Sequence, residues 1–301
     1  LIKLVHIINP VKVKKNSDLF AAQPITFESM VVAKNFSVFK EQILQCTTQY
    51  EEDLENIPDL FLKLSNLERS VFDVNSTLNS RKLPLIKDIL NKIKEIQSCD
   101  YCIYTNVDIA LMPQFYDAVF HYINKGHDAI VINRRRLAKN FKTIDELPLM
   151  YSDLGKSHPG FDCFIFKRDL IDSFVLDDIC VGISFLEATM VHNIFSFAEN
   201  PLFLPDAHLT FHLGMDVLVE RNNDYYKHNR NVFFNVISPK IKPFFSLKKF
   251  PYGTLNFPNR MIKWVLNPSL FSLNYLNLEK KNVFQKLKSY LDEIRWRILQ
   301  R

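Results

Sequence analysis

The clearest pattern along the chain is an alternation of short apolar runs with longer stretches of helical periodicity. Leu4 to Ile8 is an apolar run of strand length. Between Phe27 and Leu44 the residues Met30, Val31, Phe36, Phe39, Ile43 and Leu44 recur at helical spacing, which predicts a helix after the first strand. Cys46 to Tyr50 is a candidate second strand, and Pro58 opens another apolar-periodic segment reaching Phe72. Pro84 stands near the start of a helix predicted to run to Ile96, where a missing backbone amide is tolerated. A strand over Tyr101 to Val107 follows. Next come a helix after Pro113 (Phe115, Val119, Phe120, Ile123), ended by Lys125-Gly126, and a strand from Asp128 to Ile132.

Strands that alternate with helices of this length indicate right-handed βαβ units. The expected fold class is therefore α/β, a Rossmann-like, mostly parallel sheet with flanking helices. Ligands of such sheets sit at the carboxyl ends of the strands, which is where Asn106 and Asp108 fall. The second half is less regular. Arg134 to Gly160 reads as a long loop with short helical pieces, the usual setting for an active-site segment. Phe161 to Lys167 is a strand, Val181 to Ala198 a helix and His208 to Leu213 a strand. Beyond Arg221 the chain is rich in Asn, Lys, Phe and Pro, with a last amphipathic helix from about Asn282 to Leu299. Two units result: a body over 1–220 and a partly helical extension over 221–301.

With 301 residues, 47 % of them hydrophobic, the chain can bury a full core. No apolar run reaches the roughly 18 residues of a membrane span. The chain begins at Leu1 rather than Met, so it reads as a processed or trimmed product, and LIKLVHIINP lacks the features of a signal peptide. A cytoplasmic location follows as the expectation. The five cysteines (46, 99, 102, 163 and 180) are too few and odd in number for a disulfide framework. Cys99 and Cys102 have zinc-like spacing but no second pair, which favours reduced core cysteines. The net charge of +5 conceals an asymmetry: from Arg221 onward there are 16 basic against 4 acidic side chains, and before it 22 against 29. A basic last quarter suits an anionic partner or simply a solvated surface.

Gly is scarce, six in all, and three of them fall in HPGFDCFIF, CVGISFLEA and HLTFHLGMD. Each marks either an ordinary turn or a close backbone approach. In HLTFHLG the strand alternation puts His208, Thr210 and His212 on one face, so His212 is a candidate ligand for a divalent ion. In GISFLEATMVHNIF, Glu187 falls in the middle of the apolar side formed by Ile183, Met190, Val191 and Ile194. An inward carboxylate there is either a general base with a raised pKa or half of a buried salt bridge to Arg134 or Arg136. Arg134, Arg135 and Arg136 directly follow a buried strand. They suit a diphosphate, or else belong to a solvated loop.

Together these pieces resemble a glycosyltransferase of the GT-A type, a nucleotide-sugar-dependent family, over residues 1 to 216. Tyr104-Thr105-Asn106-Val107-Asp108 resembles the Asp-x-Asp motif that ends a central strand and holds a divalent metal against the nucleotide diphosphate. The resemblance implies a site for Mn2+ or Mg2+ at Asp108 and His212, with Arg81, Lys82, Thr105, Asn106, Val107, Asp108 and Arg134 contacting the donor. It implies Asp162, in HPGFDCFIF, on the acceptor side, and Glu187 as the base of an inverting transfer. The chain departs from the motif at its first acidic position, which is Asn106, so a metal-independent variant using Arg134 and its neighbours stands beside the metal-assisted one.

The implied partners are a nucleotide-sugar donor and a glycan, lipid-linked or protein acceptor. The last helix is either an anchor on an anionic membrane, giving a peripheral location, or a docking element against the body or another subunit. Two other classes compete. A nucleotidyltransferase or metal phosphohydrolase on a similar sheet commonly carries a Gly-rich phosphate loop, absent from INPVKVKKN. A non-catalytic scaffold would use the basic quarter on a membrane or polyanion. No nucleic-acid-binding pattern occurs.

Overall fold

The computed structural model describes residues 1–137, 141–213, 223–267 and 269–270. Its strands are β1 (Leu4–Ile8), β2 (Ile43–Thr47), β3 (Leu62–Lys63), β4 (Tyr101–Thr105), β5 (Ile109–Leu111), β6 (Ala129–Arg136), β7 (Lys156–Lys167), β8 (Pro201–Leu204) and β9 (Thr210–His212). They form one mixed sheet in the order β3-β2-β1-β4-β7-β6-β9-β5, with β8 paired to β6 as well. Pairing is parallel among β1, β2, β3 and β4, and again between β6 and both β8 and β9. It is antiparallel where β7 meets β4 and β6, and where β5 meets β9. The helices are α1 (Asp18–Phe36), α2 (Val71–Val74), α3 (Ile86–Lys92), α4 (Phe115–Asn124), α5 (Leu147–Ser152), α6 (Leu186–Phe197), α7 (Asp224–Val232), α8 (Ser238–Ile241) and α9 (Phe257–Val265). The chain thus adopts an α/β architecture: a mixed, mostly parallel sheet with helices on its faces.

Strand parity explains how the two faces are filled. Leu4, Ile8, Tyr101, Ile103, Ile130, Ile132 and Ile165 pack against α1 and α4 through Phe27, Met30, Phe115, Tyr116 and Phe120. Their neighbours Val5, Ile7, Cys102, Tyr104, Val131, Phe164 and Phe166 pack on the opposite side. There they meet Ile86, Ile89 and Leu90 of α3 and Met190, Val191 and Ile194 of α6. The same cluster takes in Phe233, Phe234, Ile237, Ile241, Phe250 and Trp264, so the extension packs onto the body through at least residue 264. With both faces covered, the central strands are largely apolar rather than alternating, with His6 and Thr105 hydrogen-bonded within the core.

Several sequence expectations need correction. The first helix spans 18–36, not 27–44: it passes through Pro24 and ends at Ser37, whose amide donates to the carbonyls of Ala33 and Lys34. Ile43 and Leu44 belong to β2, where they pair with Leu4 and Val5. The apolar segment from Pro58 to Phe72 forms no long helix; it holds the two-residue β3 and the start of α2. Residues 134–160 are not mostly loop, because β6 extends to Arg136 and β7 begins at Lys156. The predicted helix over 282–299 lies outside the described residues.

Candidate active site

Five elements converge where β4 ends. After Thr105 the chain turns through Asn106, Val107 and Asp108 into β5, which pairs with β9 so that Ile109 lies opposite His212. This pairing carries the Leu213 amide to the Asp108 carbonyl at 2.8 Å. It also brings His212 Nε2 to 3.2 Å from Asp108 Oδ2. Burial alone would raise the Asp108 carboxyl, but the hydrogen bond and charge of His212, with Arg134 nearby, outweigh it and hold the pKa below the ordinary value.

Asn106 turns away from that pair. Its Nδ2 donates to Asp162 Oδ1 at 2.9 Å, and its Oδ1 accepts from the Tyr104 hydroxyl at 3.1 Å. The other Asp162 oxygen accepts from Arg134 Nη1. Asp162 is 3 % exposed, and both its oxygens are engaged. The placement makes it a clamp between the end of β4 and β6.

Local backbone irregularity builds this clamp. Ile132 faces Cys163 and Asn133 faces Phe161, so Asp162 is the extra residue of a β-bulge that re-aims its side chain. A second register shift follows at His158, Pro159 and Gly160. A Cβ on Gly160 would stand 2.8 Å from Arg134 Cζ, so a side chain here would push the guanidinium from its place beside Asp162.

Glu187 enters from the first turn of α6. Its Oε2 accepts from the Phe161 amide at 3.3 Å and from the Ser269 hydroxyl at 2.9 Å. Arg134 Nη1 lies 3.9 Å from Oε1. Burial, with the charge of Asp162 beside it, raises the Glu187 carboxyl to about 7, against the opposing pull of Arg134. Two residues earlier Phe185 has φ of 79°, a costly conformation for an aromatic residue. Its ring is held among Tyr226, Phe233 and Phe234.

The remaining predicted residues divide. Thr105 Oγ1 is 2.9 Å from His6 Nε2, deep in the core, and His6 Nδ1 is 2.9 Å from the Tyr116 hydroxyl. Burial lowers the His6 pKa to about 3, which keeps it neutral. The Thr105 side chain therefore packs toward α4, on the face opposite α3 and α6. Val107 is half-buried against the same face. Arg135 does not join Arg134: it pairs with Asp206 and donates from Nη2 to the Gly155 carbonyl at 3.1 Å. Lys82 pairs with Glu52 at 2.6 Å over the Tyr50 ring. Arg81 is exposed, and its backbone is fixed by the Tyr225 hydroxyl.

Sequence reasoning missed the polar face of α7. Tyr225 secures Ser80 and Arg81, His228 Nε2 lies 2.9 Å from the Asp178 carbonyl, and Asn229 binds the backbone of Cys180 and Ser184. The i, i+3, i+4 spacing of these three in DYYKHNRNV is a legible signal for one inward polar stripe. Nothing comparable marks Ser269.

Asp108 and His212 offer one carboxylate oxygen and one imidazole nitrogen within reach of a single ion, a mixed donor pair that fits Mn2+ better than the oxygen-seeking Mg2+. Among the described residues no group of three or more His, Cys, Asp or Glu forms a complete cage. These two would thus supply only part of a coordination shell. The five cysteines are free, and among the described residues no helix is long and apolar enough to cross a membrane.

No protein-family model matches the chain, and no curated protein matches it in sequence. Solved structures do match. The chain is similar to TarS of S. aureus in complex with UDP-GlcNAc, at 8 % identity and a TM-score of 0.48, over 95 % of this chain and 78 % of that one. It is similar to the mannosyltransferase PcManGT from Pyrobaculum calidifontis in complex with GDP-Man and Mn2+, at 14 % identity and 0.42, over 98 % and 83 %. It is similar to the M. tuberculosis glucosyl-3-phosphoglycerate synthase at 10 % identity and 0.42, over 77 % and 80 %.

Proposed function

We propose that the chain is a glycosyltransferase that moves a sugar from a nucleotide-sugar donor to an acceptor hydroxyl, with inversion and with help from a divalent metal ion. The observation that carries this reading is the joint presence, where β4 ends, of the Asp108–His212 pair and of a carboxyl, Glu187, whose pKa is raised to about 7. A base of that pKa takes up a proton at neutral pH and is a stronger base than an ordinary carboxylate. Glu187 Oε1 accepts no hydrogen bond among the described residues, so it is the oxygen that takes the acceptor's proton as the hydroxyl attacks the anomeric carbon. Arg134 keeps positive charge beside Asp162, Glu187 and Asp108. Asn106 and Arg134 hold Asp162, which in turn fixes the guanidinium. Arg81 and Lys82 supply cations for the donor. When bound by Asp108 and His212, Mn2+ or Mg2+ stabilises the negative charge that develops on the departing diphosphate.

The test is calorimetric titration of UDP and GDP, with and without Mn2+, into the parent chain and Asp108→Ala. Metal-enhanced binding of one nucleotide, reduced at least tenfold in the variant, is expected. Equal binding by parent and variant removes the metal site from the reading. The acceptor is proposed to be a glycan, lipid-linked or protein hydroxyl. The 16 basic against 4 acidic side chains from Arg221 onward support a peripheral location at an anionic membrane. Sedimentation with vesicles containing anionic lipid, comparing the full chain with one ending at Leu278, tests that part. Equal binding by both chains removes it.

A further inference from the structure

Among the described residues, the extension meets the Glu187 side of the candidate site at Asn267 and Ser269. After α9, Asn267 is 4 % exposed, and its Nδ2 donates to the Pro159 carbonyl at 3.0 Å, on the irregular stretch of β7 just before Asp162. Two residues on, the Ser269 hydroxyl donates to Glu187 Oε2 at 2.9 Å. The same oxygen takes the Phe161 amide, whereas Oε1 faces the Arg134 guanidinium at 3.9 Å and accepts no hydrogen bond among the described residues. The extension therefore touches both carriers of the site, β7 through a main-chain carbonyl and α6 through the carboxylate itself.

We propose that Ser269 is a positioning residue: its hydroxyl fixes Oε2 of Glu187 and so turns Oε1 toward the acceptor, making the extension part of the active site. The inference rests on the reading of Glu187 as the base. Two fixed donors on one oxygen leave the carboxylate a single orientation, which a base needs if it is to meet a hydroxyl at hydrogen-bond distance. The charged and titratable groups facing Glu187 are Arg134 from β6 and Asp162 from β7; Ser269 adds a neutral donor. A donor to the ionised form favours that form, so removing it raises the carboxyl further.

The experiment titrates the full chain with 13C-carboxyl-labelled glutamate, followed by NMR, and assigns Glu187 by the signal missing from Glu187→Gln. In the parent the Glu187 signal is expected to titrate near pH 7. In Ser269→Ala its midpoint rises by about one pH unit, and Ser269→Thr, which keeps the hydroxyl, restores the parent value. An unchanged midpoint in Ser269→Ala, with Glu187 still titrating near 7, overturns the proposal. A second readout is nucleotide release from UDP-GlcNAc or GDP-mannose in the presence of Mn2+. The acid limb of its rate profile is expected to move with the NMR midpoint, and a static limb overturns the proposal. If Glu187→Gln releases nucleotide as fast as the parent, the base assignment itself fails, a result distinct from any behaviour of Ser269.

Discussion

Glu187 is held in a form that opposes stability. Its ordinary pKa is 4.5, and in the folded protein burial and the neighbouring Asp162 bring it to about 7. Between those two values the folded chain keeps a proton that the unfolded chain has released. The contribution of this group is therefore intact below about pH 4.5, falls as pH rises, and is lost above about pH 7. At pH 8 the penalty is on the order of 3 kcal/mol. Glu187→Gln, which cannot ionise, is expected to be more stable than the parent by up to that amount at pH 8 and equal to it at pH 4. Urea unfolding at the two pH values checks this, and a gap that does not widen with pH contradicts it. The residue-level reading from sequence reached Glu187 because a carboxylate on an apolar helix side is visible in the spacing. The inward turn of the Thr105 side chain was also legible, since Thr105 shares the strand parity of Tyr101 and Ile103 and so points to the α4 face. For Asp162, parity was no guide, because the bulge breaks it.

At the scale of elements, α7 holds the loops on either side of the site. Asn229 is fully buried, with Oδ1 on the Cys180 amide and Nδ2 on the carbonyls of Cys180 and Ser184. The segment it braces leads into the strained Phe185 and the first turn of α6. Asn229→Ala leaves three backbone groups without those partners, at about 1 kcal/mol or more each. A stability loss of about 3 kcal/mol is expected, together with a drop in kcat larger than any change in donor affinity, because Glu187 loses its fixed entry. Urea unfolding and steady-state kinetics measure the two effects. A variant with full activity despite reduced stability removes α7 from the machinery. The elements themselves were readable where a run was long and periodic, as at α3 and α4. They were not where pairing partners decided the outcome: Ile43 and Leu44 continue a helical pattern, yet β1 claims them as strand. The short β5 and β8, of three and four residues, have no period to read.

At the scale of the whole molecule, body and extension share one core. Phe233, Phe234, Ile237, Ile241, Phe250 and Trp264 are each buried against the β7 and α6 face. Their burial contributes on the order of 10 kcal/mol, comparable with the entire net stability of a domain. A chain ending at Leu213 is expected to lack a cooperative unfolding transition. Circular dichroism during thermal unfolding tests this, and a sharp transition at the parent temperature would show that the body stands alone.

The sequence alone determined the α/β class and the central strands β1 and β4. It also marked the residue types for the chemistry: a carboxylate after a central strand, a late histidine and an inward glutamate. Those follow from periodicity and composition, which act over a few residues. Only the tertiary structure decided which of these groups meet. The β5–β9 pairing joins Asp108 to His212 across about a hundred residues, and the bulge in β7 hands Asp162 to Asn106 and Arg134. Ser269 reaches Glu187 only because the extension packs back onto the sheet. Such contacts depend on register and on long-range packing, and neither leaves a local pattern in the chain.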